Sequence, residues 1–116
     1  MNRLLFIDDA EDICMLFKET VEPLDGWVTD YASNPIEALK LIKVNRYQLV
    51  ISDNIMPLMS GIEFFLLLKH ENLQCQKILC TGDKDLKCAE ADLILYKPFD
   101  FYLFKEIIYK SLRPQC

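Results

Sequence analysis

The chain has one histidine, no CxxC pair among its five cysteines, no long apolar run and no excess of positive charge. His70 falls at the end of a helical pattern and reads as a surface residue, which leaves no histidine for acid–base chemistry. Cys14, Cys75, Cys80, Cys88 and Cys116 form an odd, unpaired set. They read as thiols kept in a reducing compartment rather than as a disulfide framework or zinc ligands. No stretch approaches the roughly 20 apolar residues of a membrane span. The apolar start, 4–7, ends at Asp8 and is too short for a signal peptide. Lys and Arg number 13 against 18 Asp and Glu, a formal net charge of −5. That balance disfavours a nucleic-acid backbone or an anionic membrane as a direct partner. Repeats, linkers and low-complexity tails are also lacking. These absences lead us to expect a cytoplasmic protein.

What is present is dense and regular. Hydrophobic residues make up 52% of 116 residues, enough for a single domain over 1–116 with one core. Strand-like apolar runs at 3–7, 27–31, 48–52, 77–80 and 92–96 alternate with helical patterns, as in βα units around a parallel sheet. Ile13, Leu16, Phe17 and Val21 recur at helical spacing, and Pro23 with Asp25-Gly26 ends that helix. Asn34-Pro35-Ile36-Glu37 opens a second helix carrying Leu39 and Ile42, with Asn34 as cap and Pro35 at its first position. Ser60-Gly61-Ile62-Glu63 is a capping box opening a third, which carries Phe64, Phe65 and Leu68. Asp100 caps a last helix carrying Leu103, Phe104, Ile107 and Ile108, stopped near Pro114. The run 27–31 contains Thr29 and Asp30 and suits a sheet edge. Trp27 reads as packing. Between Thr81 and Lys97 there is room for one strand and a short helical piece near 83–88, so the fourth helix is shortened or missing.

Four of the runs end on residues suited to a phosphoryl group: Asp8 and Asp9, Asp53, Thr81, and Lys97. The right-handed crossover rule leaves few arrangements. In one common doubly wound order, 2-1-3-4-5, ligands bind beyond the carboxyl ends of strands 1 and 3. That places Asp8, Asp9 and Asp53 together, with Thr81 beside them and Lys97 reaching across on its long stem. Three close carboxylates repel, and a hard dication such as Mg²⁺ relieves the repulsion with oxygen ligands. Each residue also has a plainer reading. An Asp-Asp pair after a strand is often a helix cap, Thr81 alone is a strand-end hydroxyl, and Asp83 is a solvated loop acid or helix cap.

Taken together and in order, these residues resemble the receiver domain of bacterial two-component response regulators. The resemblance covers essentially the whole chain. It rests on Asp8-Asp9, Asp53-Asn54-Ile55-Met56-Pro57-Leu58-Met59-Ser60-Gly61, Thr81-Gly82 and Lys97-Pro98-Phe99. It implies a five-stranded parallel α/β sheet of the flavodoxin- or CheY-like kind, order 2-1-3-4-5. It also implies that Asp53 is the phosphoacceptor, served by a sensor histidine kinase or a histidine phosphotransfer protein. Asp9 would ligate Mg²⁺ directly and Asp8 through water, with Asp53 and the Ile55 carbonyl completing the protein's share. Thr81 would be the switch hydroxyl that moves toward the phosphoryl group, and Lys97 its ion partner, aimed by a cis bond to Pro98. Such a domain is not an enzyme, although it slowly hydrolyses its own aspartyl phosphate, and it passes a conformational change to a downstream protein or effector domain.

The chain departs from the family pattern in its output machinery. Ile94 stands three residues before Lys97, where an aromatic ring is usual; Tyr96 lies on the same sheet face, one pleat along. Ser60 replaces a common Asp, a change that preserves the cap. Two alternatives follow. One is a degenerate receiver that binds partners irrespective of phosphate. The other is a haloacid-dehalogenase-like phosphatase, which would place its nucleophile at Asp8 in a D-x-D motif, whereas Asp8 is followed directly by Asp9.

Overall fold

The computed structural model describes residues 2–21, 26–71, 75–97 and 105–106. Its elements, in chain order, are β1 (Asn2–Ile7), α1 (Glu11–Val21), β2 (Trp27–Ala32), α2 (Pro35–Val44), β3 (Leu49–Asp53), α3 (Gly61–His70), β4 (Gln76–Thr81) and β5 (Leu93–Tyr96). The strands form one parallel sheet in the order β2-β1-β3-β4-β5. This is the doubly wound order expected from the sequence, with β2 at an edge.

Alternation along the strands divides the core into two layers. Leu4, Phe6, Leu49, Ile51, Ile78, Cys80 and Leu95 face one side and pack with Phe17 of α1. The Phe6 and Phe17 rings stack with centroids 4.1 Å apart. Leu5, Ile7, Val50 and Leu79 face the other side, covered by Ala38 of α2 and by Phe64, Phe65 and Leu68 of α3. Trp27 packs half-buried against the first layer.

The helix starts follow the sequence signals. The Asn34 side chain accepts the Glu37 N–H, and Ser60 and Glu63 form a complete capping box. Asp30, polar on its edge strand, accepts from the Arg3 guanidinium at 3.0 Å and the Tyr47 hydroxyl at 2.6 Å. These bonds fasten the edge strand to β1 and to the residue leading into β3.

One expectation needs correction. Leu16 is 47% exposed instead of joining the core face, because Ile13, Cys14 and Phe17 occupy the stripe that meets the sheet. β3 and β4 end on Asp53 and Thr81 as expected, and both residues lie on the ladder itself, paired with Cys80 and Tyr96. Of the two outcomes expected for the fourth helix, shortened or missing, the structure has the second: 82–92 carries no helix. There Asp83 turns the chain instead: its carboxylate accepts the Asp85 N–H and its carbonyl the Leu86 N–H. A side-chain-capped turn of this kind competes with helix formation, and so short a span gives a helix little to propagate on. The expectations for Pro23, Asp25, Pro98 and its peptide bond, Phe99, the Asp100 cap, Leu103, Phe104, Ile107, Ile108, Pro114 and Cys116 lie outside the described residues.

Candidate functional site

The carboxyl ends of β1, β3, β4 and β5 meet at one edge of the sheet. Asp8 follows the last residue of β1, and its N–H donates to the Ala32 carbonyl at the end of β2. Its side chain is only 4% exposed and accepts the Ala10 N–H at 3.0 Å. Asp9, one residue on, is exposed before α1. Asp53 ends β3 at 9% exposure. Carboxylate oxygens of Asp8, Asp9 and Asp53 all lie within 4.8 Å of one another. Lys97, just beyond β5, places Nζ 3.1 Å from Asp53 Oδ1.

The electrostatics follow from this crowding. Burial pushes the Asp8 carboxyl above its ordinary range, and the charges of Asp53 and Asp9 add to that; the Ala10 amide and Lys97 pull the other way. Burial alone would lower the Lys97 ammonium. Its hydrogen bond to Asp53, with the charges of Asp53 and Asp8, outweighs burial and raises it. Nearby thiols stay protonated: Cys14 is pushed up to about 11, first by burial and then by Asp8, and burial drives Cys80 up as well.

Thr81 closes the site on the β4 side. It is buried, its Oγ1 accepts the Asp83 N–H at 3.1 Å, and its carbonyl accepts the Lys97 N–H at 2.7 Å.

The family model for the response regulator receiver domain matches residues 4–109. The chain belongs to that family. It is 32% identical to the chemotaxis protein CheY of Halobacterium salinarum over 104 residues, covering 84% of this chain and 86% of that one. It is 28% identical to the sporulation initiation phosphotransferase F of Bacillus subtilis, covering 96% and 94%. The solved response regulator TrrA of Thermotoga maritima, in complex with Mg²⁺ and BeF, superposes with a TM-score of 0.84 at 35% identity, over 97% of this chain and all of that one.

The receiver's acidic edge suits a hard dication. All the donors are carboxylate oxygens, their number exceeds what the single Lys97 contact balances, and the Asp8 carboxyl, raised first by burial, is raised further by the charges of Asp53 and Asp9. Among the described residues this is the one cluster of three potential ligands found.

Asp8, Asp9, Asp53, Thr81 and Lys97 thus converge as the strand ends foretold. The Ile55 side chain is 79% exposed on the loop beyond Asp53. Asp83 is an exposed loop acid, and His70 lies exposed at the end of α3, away from these strand ends. Two supporting residues escaped the sequence reading. Ser52 is fully buried, and its hydroxyl donates to the Asp53 carbonyl at 2.9 Å. Asn54 clamps β3 between its neighbours: its N–H donates to the Cys80 carbonyl, its carbonyl accepts the Gly61 N–H, and its Oδ1 accepts the Ile62 N–H. A polar residue closing an otherwise apolar strand was the available signal for Ser52. Asn54 entered only as one residue of the stretch that carries the resemblance, with no role of its own.

Proposed function

We propose that this receiver takes a phosphoryl group onto Asp53 from the phosphohistidine of a sensor kinase or phosphotransfer protein. The observation that carries the reading is the Asp53 carboxylate, held between the Lys97 ammonium at 3.1 Å and two further carboxylates within 4.8 Å. An oxygen of Asp53 attacks the phosphorus. The new P–O bond forms as the P–N bond breaks, and the imidazole nitrogen leaves with the electron pair and is reprotonated. Asp8, Asp9 and Asp53, with the Ile55 carbonyl, would hold Mg²⁺, which supplies charge neutralisation at the transferring phosphoryl oxygens. Lys97 pairs with another of those oxygens, and the Thr81 hydroxyl donates a hydrogen bond to a third. Water attack on the acyl phosphate, returning carboxylate and inorganic phosphate, resets the domain slowly.

The whole of 1–116 acts as one receiver unit in the cytoplasm, relaying its state to a downstream protein or effector domain. The family match over 4–109 supports the unit. The net charge of −5 supports a protein partner over direct contact with nucleic acid or membrane.

Incubation with acetyl phosphate and Mg²⁺ tests the assignment. One phosphoryl group should map to Asp53, and Asp53→Asn should abolish it; label at Asp8 would mark the phosphatase-like alternative instead. Ile94 and the missing fourth helix favour a second reading, a receiver whose partners ignore phosphate. An Asp53 that never takes label would establish that one.

A further inference from the structure

The loop 54–60 joins the acceptor strand to α3, and one residue closes it. Asn54 meets the first two amides of that helix: its carbonyl accepts the Gly61 N–H at 2.9 Å and its Oδ1 the Ile62 N–H at 3.3 Å. Ser60 takes the third, that of Glu63. Helix-start amides need such partners, because the helix itself offers them none. Asn54 thereby ties the residue next to Asp53 to the start of α3. Met56 is tied from below, its Sδ 3.3 Å from the hydroxyl of the fully buried Ser52. Ile55 stands between these two fastened residues, with its own side chain exposed.

The same loop carries strain. Leu58 has φ 77°, and the Met59 N–H donates to the Pro57 carbonyl at 2.9 Å. That is the signature of a γ-turn with its central residue in the left-handed region, a costly place for a leucine. Among the described residues no other non-glycine has a positive φ. The leucine side chain is 72% exposed, so packing does not offset the strain. Such a conformation persists only where the surroundings impose it. Here they are the closure at Asn54 and the half-buried Met56 and Met59, seated on the layer that contains Phe64 and Leu79.

We propose that the Asn54 side chain is a positioning residue for metal binding. It holds the strained loop closed and so keeps the Ile55 carbonyl ready to complete the ligand set begun by Asp8, Asp9 and Asp53. The proposal rests on the reading of those groups as the Mg²⁺ site. Leu58 pulls against closure and Asn54 holds it, so the closed fraction turns on one side-chain bond. Apparent affinity for the ion falls in proportion to that fraction. Asp8 and Asp53 are held by the sheet and do not depend on the Asn54 side chain. The defect left by its loss is therefore one that excess metal overcomes.

The test is titration of Mg²⁺ into the metal-free wild-type chain, Asn54→Ala and the volume-keeping Asn54→Leu, following backbone amides by NMR. Both variants should bind the ion about two- to tenfold more weakly, the range set by one net hydrogen bond. Leu58→Gly, added to either, should recover most of that loss, because glycine enters the left-handed region freely. Labelling of Asp53 by acetyl phosphate should slow in both variants at limiting Mg²⁺ and return to the wild-type rate at saturation. A residue that merely shaped the acceptor would slow it at every concentration. Four results overturn the role of Asn54 and leave the metal site standing: unchanged affinity, a loss that Leu58→Gly leaves in place, slow labelling at saturating Mg²⁺, or failure of both variants to fold. A folded wild type whose acidic-edge amides ignore Mg²⁺ overturns the metal site and the proposal with it.

Discussion

The Lys97 ammonium meets the Asp53 carboxylate at 3.1 Å although β4 lies between the strands that position them. A four-carbon stem is what spans that interval, and a shorter cation at position 97 would not. The pair sets the charge of the whole edge, because Asp8 and Asp9 crowd the same oxygen cluster.

Lys97→Met should therefore separate two properties. Phosphorylation of Asp53 from acetyl phosphate should fall at least ~10-fold, the scale of one lost charge-stabilising group. Mg²⁺ should bind several-fold tighter, because a competing cation has left the carboxylates. Labelling rates and a Mg²⁺ titration by NMR give both numbers. A loss in both together would mean that Lys97 acts through the fold rather than through charge.

Asp8→Asn should stabilise the metal-free domain at neutral pH. The folded-state carboxyl is raised by burial and by its acidic neighbours. For an acid shifted upward, the native state holds its proton longer than the unfolded state, so stability falls as pH climbs from the unfolded value through the raised one. Asn keeps the Oδ1 that accepts the Ala10 N–H and removes the charge. The variant should melt about 3–6 °C higher at pH 7, the effect of ~1 kcal/mol in a domain of this size. The difference should vanish near pH 3. Added Mg²⁺ should lift the wild type more than the variant in the same thermal scans.

The same substitution should be felt at Cys14. Its thiol, pushed up to about 11 by burial first and Asp8 second, donates to the Asp8 carbonyl at 3.5 Å. Little thiolate is present at pH 8, and alkylation follows the thiolate. Iodoacetamide should modify Cys14 slowly in the native wild type and faster in Asp8→Asn, with the gap closing in urea. Mass spectrometry of the Cys14 peptide over time reports it.

Much of this was legible in the sequence because it is written in local patterns. Apolar runs ending on Asp8, Asp53, Thr81 and Lys97 give the strands, and the crossover rule then brings their ends together. Ser60 and Glu63 announce the start of α3 in four consecutive residues. What the sequence hid depends on competition or on distance. Leu16 fits the helical period of α1, but Cys14 fills the place against the sheet. The span after Thr81 has residues enough for a short helical turn, yet the Asp83 side chain takes the amide that such a turn would need. The clamp at Asn54 joins β3, β4 and α3, and no window along the chain contains all three.

Gly61 ties that clamp to the acceptor. A Cβ there would sit 2.6 Å from Leu79 Cδ1 and 2.8 Å from the Asp53 carbonyl oxygen. The leucine can shift; the backbone of the acceptor cannot without moving β3 or α3. The Gly61 N–H is also the donor to the Asn54 carbonyl, so α3 cannot retreat without breaking that bond. Gly61→Ala should thus cost about 1–3 kcal/mol in urea unfolding, the usual price of overpacking. Phosphorylation of Asp53 should slow in protein that is still folded, because the acceptor carbonyl is among the atoms displaced. Gly82→Ala is the matched control: a Cβ at Gly82 meets nothing within 4 Å. Its unfolding midpoint should stay within ~0.5 kcal/mol of wild type. Equal losses at both positions would show that glycine is needed for backbone freedom at each, and would remove the steric argument for Gly61.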